Sequence, residues 1–270
     1  MTQTPSAGAD TARTTEAARL LAAARRTVTA INSLPEAVAP RSVAEAYATQ
    51  DALVDVLGSA IVGWKVGATA VAIQQRLGTN EPFAGPLLAD SVFESPGRLN
   101  AGAYLHTAIE CEFAFRMGRT LPVRAEPYAE AEVADAVCEI IPAIEVVAPS
   151  FEQILGGALL DRIADLGVTA GLVHGQATSP QAFPLAKLVA HGVALRIDGA
   201  ETARGTGDLV LGDPLRSLTW LANHLRQRGR DLSAGAIVST GSMTGITQLA
   251  IGQTAVADFG LLGTVTARFA

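Results

Sequence analysis

Two glutamates stand one residue apart in "LHTAIECEFAFRMG", residues 105–118, inside a largely apolar run. Side chains alternate along a β-strand. Ile109, Cys111, Phe113 and Phe115 therefore share one face, and Ala108, Glu110, Glu112 and Ala114 share the other. The first face reads as core. The second offers two carboxylates framed by alanines, with open space above them. A half-exposed strand with its polar face in water would have the same pattern. A third glutamate, Glu145 of "IIPAIEVVA", has Ile144, Val146, Ala143 and Val147 around it. So apolar a run is expected to be buried, and a lone buried carboxylate is costly or takes up a proton. An arginine partner would answer that cost. So would a cation. Three glutamates with no His or Cys beside them form an all-oxygen set, which suits Mg²⁺ or Mn²⁺ rather than zinc and leaves positions for water or substrate.

Lys65 is the next candidate. Of 20 basic residues only Lys65 and Lys187 are lysines, and a lysine amine responds to burial where arginine does not. A codon bias would give the same scarcity, and a strand-end lysine at the surface the same position. In "STGSMTG", residues 239–245, the glycines permit a tight turn with backbone N–H groups facing a ligand. His106 falls on the parity of the glutamate face and can enter the site. His174, His191 and His224 have no ligand spacing.

These residues need elements to hold them. The 270-residue chain is 49% hydrophobic and 17% charged, enough for one large domain with a sizeable core. A net charge of −6 gives no electrostatic case for nucleic acid or an anionic membrane. No apolar run approaches the ~20 residues of a membrane span, and the N-terminus lacks the pattern of a secretory signal. A soluble cytoplasmic protein is expected, with Cys111 and Cys138 as buried thiols. Residues 1–14 are small and polar and expected to be mobile, residues 15–60 helical, and residues 61–270 the domain that carries the candidate residues. Leu20, Leu21, Ala24, Val28 and Ile31 have helical spacing. Ser42, Glu45 and Gly58 bracket a second helix, and Asp213, Pro214 and Gly229 a later one. "EAEVADAVCEII" is predicted as a helix ending at Pro142. Short strands such as "AIVGWKVGA", "VTAGLVHG" and "GVALRIDG" alternate irregularly with helices, which predicts an α+β fold around a mixed, β-rich core.

"GWKVGAT", "QQRLGTNEPFAGPLLAD", "ECEFAF", "PAIEVV", "LGDPLRSLTWLANHL" and "STGSMTG" occur in this order over residues 17–269. Together they resemble the 2-keto-4-pentenoate hydratase and 4-oxalocrotonate decarboxylase family, within the fumarylacetoacetate hydrolase superfamily. The resemblance implies a core of the fumarylacetoacetate hydrolase type, a divalent metal, a small 2-oxo or 2-hydroxy acid substrate, a homo-oligomer and a place in aromatic catabolism. By motif position Glu110, Glu112 and Glu145 match the metal ligands. Lys65 and Asp90 match polar residues near the substrate, and Ser242 matches a loop residue near its carboxylate or keto end. A 2-oxo acid can chelate one cation through carboxylate and keto oxygens, and a Lewis acid there favours the enolate. Lys65 would then hold the anion or act as acid/base if burial lowers its pKa. Asp90 would shuttle a proton or activate water, or be an ordinary turn residue.

One segment departs from the family. Its members carry a polar "ADNAS"-like stretch, whereas this chain reads "ADLGVTAG", with Leu166 and Val168 at the polar positions. One wall of the site is therefore expected to be apolar. The leading expectation is a metal-dependent hydratase of a 2-hydroxy-dienoate or 2-oxo-enoate. A decarboxylase, tautomerase or C–C hydrolase of a related acid is the alternative, and a non-catalytic binding protein a third.

Overall fold

The structure is a computed structural model that describes residues 7–154 and 157–270. Its first half contains α1 (Ala7–Thr27), α2 (Val43–Leu57), β1 (Ile61–Gly67), α3 (Val71–Leu77), β2 (Phe83–Leu88), β3 (Val92–Glu94), β4 (Gly97–Leu99) and β5 (Ala108–Met117). Then come α4 (Glu130–Ala134), β6 (Val137–Val147), α5 (Leu159–Ala164), β7 (Thr169–His174), β8 (Gly192–Ile197) and β9 (Ala200–Thr206). The chain closes with α6 (Pro214–Gln227), β10 (Ile237–Ser239), β11 (Thr247–Gln248), β12 (Thr254–Asp258) and β13 (Thr264–Phe269).

The strands form two mixed sheets, so the fold is α+β with a β-rich core, as the sequence predicts. One sheet runs β2-β1-β10-β5-β6-β7-β3, with β11 added beside β5. The other runs β4-β13-β12-β8-β9. The core face of β5 is as expected: Ile109, Cys111, Phe113 and Phe115 are wholly buried in the largest apolar cluster. No helix among the described residues is long and apolar enough to cross a membrane.

Local chemistry explains the helix ends. Ser42 Oγ accepts from Glu45 N at 3.2 Å, and Gly58 closes α2 at φ 72°. Asp213 accepts from Leu215 N at 2.8 Å, Pro214 occupies the first turn, and the leucines of α6 face the core, Leu218, Leu221 and Leu225 buried and Leu215 half-buried against them. The first helix differs from expectation at both ends. Residues 1–6 lie outside the described residues, and α1 begins at Ala7, within the stretch expected to be mobile. At its other end Val28 takes φ 52°, and Ile31 bridges Phe151 instead of continuing the helix.

The helix expected up to Pro142 is a correction. Only Glu130–Ala134 is helical, and β6 runs from Val137 straight through the proline. Proline is tolerated there because the Pro142 carbonyl, which accepts from Gly175 N at 2.8 Å, shares its side of the strand with the missing N–H. β7 has already ended at His174 on that side. Cys111 is buried as expected, but Cys138, near the start of β6, is exposed.

The helical N-terminal region packs as a second core. Ala17, Ala18, Leu21 and Ala22 of α1 and Leu53 of α2 meet Leu34, Leu88, Phe151, Ala164 and Leu166. Two α2 side chains reach the backbone of β2: Tyr47 Oη accepts from Ala84 N at 3.0 Å, and Gln50 Nε2 donates to Ala84 O at 3.0 Å.

Candidate active site

Antiparallel pairing of β5 with β6 sets Glu110 directly opposite Glu145, and Glu112 opposite Ala143. Register thus brings the three carboxylates to one spot, where one oxygen from each lies within 4.8 Å of the others. Glu112 and Glu145 are almost fully buried, and Glu110 is open to a cavity. Lys65, on β1 and only 2% exposed, brings Nζ to 3.2 Å from Glu145 Oε1. The cluster therefore combines three carboxylates with one ammonium. At an effective dielectric near 20, two carboxylates at this spacing repel by roughly 3 kcal/mol.

The protonation equilibria register that crowding. Burial, then the charge of Glu145, pushes Glu110 up to about 7. Burial, then Glu145 and Glu110, hold Glu112 well above the usual carboxylate range. Burial alone would lower Lys65, but the three glutamates outweigh it and raise the amine above its ordinary value. Without a cation, Lys65 is accordingly the ammonium partner of the three glutamates.

A dication fits this site on its own structure. Glu112 Oε1 and Glu145 Oε2 are buried without a hydrogen-bond donor among the described residues, and such atoms call for a partner. The other oxygen of Glu112, Oε2, is fixed by Ser239 Oγ at 2.6 Å and Gly241 N at 2.8 Å. Those two donors fix one oxygen of the carboxylate and leave Oε1 without a donor among the described residues, as outer-shell groups do at metal centres.

Above the carboxylates lies a cavity of about 460 Å³, within the range of small-molecule sites. Lys65, Glu110, Val147, Val168, Ser242 and Ile246 line it. Ser242 is close enough to Glu110 to stabilise its charge, but its buried hydroxyl has no well-formed hydrogen bond among the described residues. Sequence reasoning missed the arginines: Arg76, Arg162 and Arg204 also line the cavity. Arg162 is 4% exposed, and its Nη2 donates to Ile154 O at 3.0 Å. Flanked by aspartates in "LDRIAD", it reads in sequence as surface charge, and nothing in the pattern marks it otherwise.

Three expectations need correction. Asp90 sits in an exposed turn after β2, accepts from Ser59 Oγ at 2.9 Å, and does not line the cavity, because the chain leaves the sheet outward after Leu88. His106 precedes β5 in a bend, against a separate surface hollow. Leu166 and Val168 part company. Val168 lines the cavity and packs with Ala108 and Val147, whereas Leu166 is buried under the N-terminal helices. The two belong to a left-handed turn in which Leu166, Gly167 and Val168 have φ 56°, 65° and 62°. That conformation is costly for a branched residue, on the order of 1–3 kcal/mol.

No family model matches the chain. Known proteins do. The chain is 31% identical over 267 residues to a TodF product hydratase of Pseudomonas putida, covering 97% of this chain and 98% of that one. It is 30% identical over 232 residues to a 2-keto-4-pentenoate hydratase of Paraburkholderia xenovorans, covering 84% of each. The chain belongs to the 2-keto-4-pentenoate hydratase family. Among solved structures, 4-oxalocrotonate decarboxylase from Pseudomonas putida G7, complexed with magnesium and adipate, aligns over 100% of both chains. The TM-score is 0.88 and the identity 26%. A fumarylpyruvate hydrolase from Pseudomonas aeruginosa, in complex with Mn²⁺ and pyruvate, shares the fold at a TM-score of 0.59 and 15% identity, over 76% of this chain and 88% of that one. The fold is therefore that of the fumarylacetoacetate hydrolase superfamily. Members of the 2-keto-4-pentenoate hydratase family are enzymes, and this chain is an enzyme of the metal-dependent lyase type.

Proposed function

We infer that the protein adds water to a 2-hydroxy-2,4-dienoate, or to its 2-oxo-enoate tautomer, with Mg²⁺ or alternatively Mn²⁺ held by Glu110, Glu112 and Glu145. The observation that carries this reading is the meeting of those glutamates with Lys65 at the floor of one cavity. When bound, a divalent cation supplies Lewis acidity at the carboxylate and keto oxygens of a 2-oxo acid.

The chain's own residues do the rest. The Lys65 ammonium stabilises the oxygen that gains negative charge when the 2-hydroxyl loses its proton. Ser242 offers its hydroxyl to the same end of the substrate. The proton lost from that hydroxyl is balanced by one gained at C5, which gives the 2-oxo-enoate. Water then contributes its oxygen to C4 and a hydrogen to C3. Val147, Val168 and Ile246 line the way for the carbon chain. Asp90, outside the cavity, has no part in these steps. The same reading has the enzyme acting as a cytoplasmic homo-oligomer in aromatic catabolism.

A second reading, decarboxylation of a 2-oxo diacid, draws support from Arg76 and Arg162 in the cavity wall, whose charge suits a second carboxylate; Arg204 beside them already has both oxygens of Glu201, at 2.6 and 2.8 Å. Assays of the purified protein with Mg²⁺ and Mn²⁺ on 2-hydroxypenta-2,4-dienoate and on 4-oxalocrotonate separate the two. Loss of dienoate absorbance with uptake of water supports hydration. Release of CO₂ from the diacid alone replaces it with decarboxylation, and inactivity on both substrates sinks both.

The apolar wall gives a graded prediction. Val168→Ser should weaken the preference for extended over short dienoates by a factor on the order of 10, the scale on which apolar pockets discriminate. Leu166→Asn should lower Tm without moving that preference, because its side chain lies in the second core. The ratio of kcat/KM for the two substrates is the measurement. Equal shifts in both variants would mean that the wall is not built by Val168.

A further inference from the structure

The left-handed turn that carries Val168 is held at both ends by one side chain from a distant helix. Arg25, in the last turn of α1, donates Nη2 to Asp165 O at 3.0 Å and Nη1 to Thr169 O at 3.2 Å. Its Nε donates to Asp165 Oδ1 at 2.7 Å. The planar guanidinium thus spans the two carbonyls that bracket Leu166, Gly167 and Val168. Asp165 is wholly buried, and its carboxylate also accepts from Ser150 Oγ at 2.9 Å and Ser150 N at 2.7 Å. Inside the turn, Val168 N donates to Asp165 O at 2.8 Å, and Val168 O accepts from Ala148 N at 3.1 Å.

A second constraint comes from β2. A Cβ placed on Gly85 would run into Leu166 O, so strand and turn are in direct backbone contact. Leu166 points its side chain into the cluster beneath α1 and α2, and Val168, two residues on, faces the cavity. Strained backbone of this kind persists only where its surroundings over-determine it. Here the surroundings are a guanidinium, a buried carboxylate and a glycine-sized gap.

We propose that Arg25 is a positioning residue for the substrate cavity: by bridging the carbonyls of Asp165 and Thr169 it fixes the left-handed turn and thereby the place of Val168 in the wall. Only a rigid fork with several donors can make this bridge, so lysine is not its equivalent. The carboxylate cluster stands on β5 and β6 and is held by its own partners, so it does not depend on Arg25. Substrate handling and cation binding should therefore separate.

Arg25→Ala and Arg25→Lys test this in the full chain. Hydrogen exchange of residues 165–170 should quicken at least ~10-fold in Arg25→Ala, the worth of one lost charge-assisted hydrogen bond, with β5 unchanged. Mn²⁺ affinity should stay at the wild-type value. KM for the dienoate should rise by a larger factor than kcat falls, and added guanidinium ion should restore part of it, while Arg25→Lys remains impaired. Unchanged exchange at 165–170 would overturn the proposal. So would wild-type KM and kcat, or loss of Mn²⁺ affinity in step with activity. Should Arg25→Ala fail to fold, Arg25→Lys decides: a loosened turn supports the bridge, and wild-type exchange refutes it. The kinetic arm rests on the hydratase reading and the exchange arm does not. A wild type that turns over no dienoate, with Arg25→Ala still loosened at 165–170, therefore refutes that reading alone.

Discussion

Glu110→Gln and Glu145→Gln should each weaken Mg²⁺ and Mn²⁺ binding beyond the ~10–100-fold typical of losing an outer-shell partner, because each removes a direct oxygen donor. Glu110→Gln has a second, opposite signature. Without a cation, three carboxylates face one ammonium, and Glu110 is pushed up by burial and by the charge of Glu145. Neutralising it removes a buried charge that stands opposite Glu145 and leaves the Lys65–Glu145 ion pair in place. Cation-free Glu110→Gln should therefore melt above the cation-free wild type. Added Mg²⁺ should raise the wild-type Tm by mass action and leave the variant where it was. Calorimetric titration and melting curves, each with and without metal, give both signs. Unchanged Mg²⁺ affinity in both glutamine variants would remove the site from this triad.

Lys65→Met should lower kcat/KM by at least ~10²-fold, the low end for losing a positioned catalytic group, while the fold is kept. Methionine fills a similar buried volume but carries no charge. The cation, meanwhile, should bind more tightly, because the ammonium that now competes for Glu145 is gone. Tighter metal with slower turnover is a combination that general damage to the site does not produce. A near-normal rate in Lys65→Met would return Lys65 to a structural ion pair.

The glutamate site was legible in the sequence because strand parity is a local rule. Glu110 and Glu112 had to share a face, and the apolar run around Glu145 implied burial. Their convergence depends on the pairing of β5 with β6, which sequence spacing does not state and the family resemblance implied. Asp90 shows where motif position misleads: its neighbours in β2 are buried, but the turn that follows carries it outside. Parity also misled for His106, because β5 does not begin until Ala108. At Leu166 and Val168 a substitution that looks like one apolar wall is divided by a left-handed turn, which sends one side chain to the core and one to the cavity. Pro142 reads as a helix stop in the sequence, yet it lies inside β6, because the rule against proline in strands is strict only where its N–H is needed for pairing. Arg162 and Arg25 were invisible as site residues, since their partners lie on loops and turns remote in sequence.

The contacts from α2 to Ala84 have one more consequence. β2 ends its sheet, and an unpaired strand there offers free N–H and C=O groups to any other extended chain. Tyr47 and Gln50 occupy the groups of Ala84, and all six residues of β2 are kept out of water. The helical extension thus guards the enzyme against intermolecular strand pairing. A chain shortened to residues 61–270 would keep every glutamate of the cation site and yet present a bare, apolar margin to other chains, so aggregation is its expected fate even where cation binding survives.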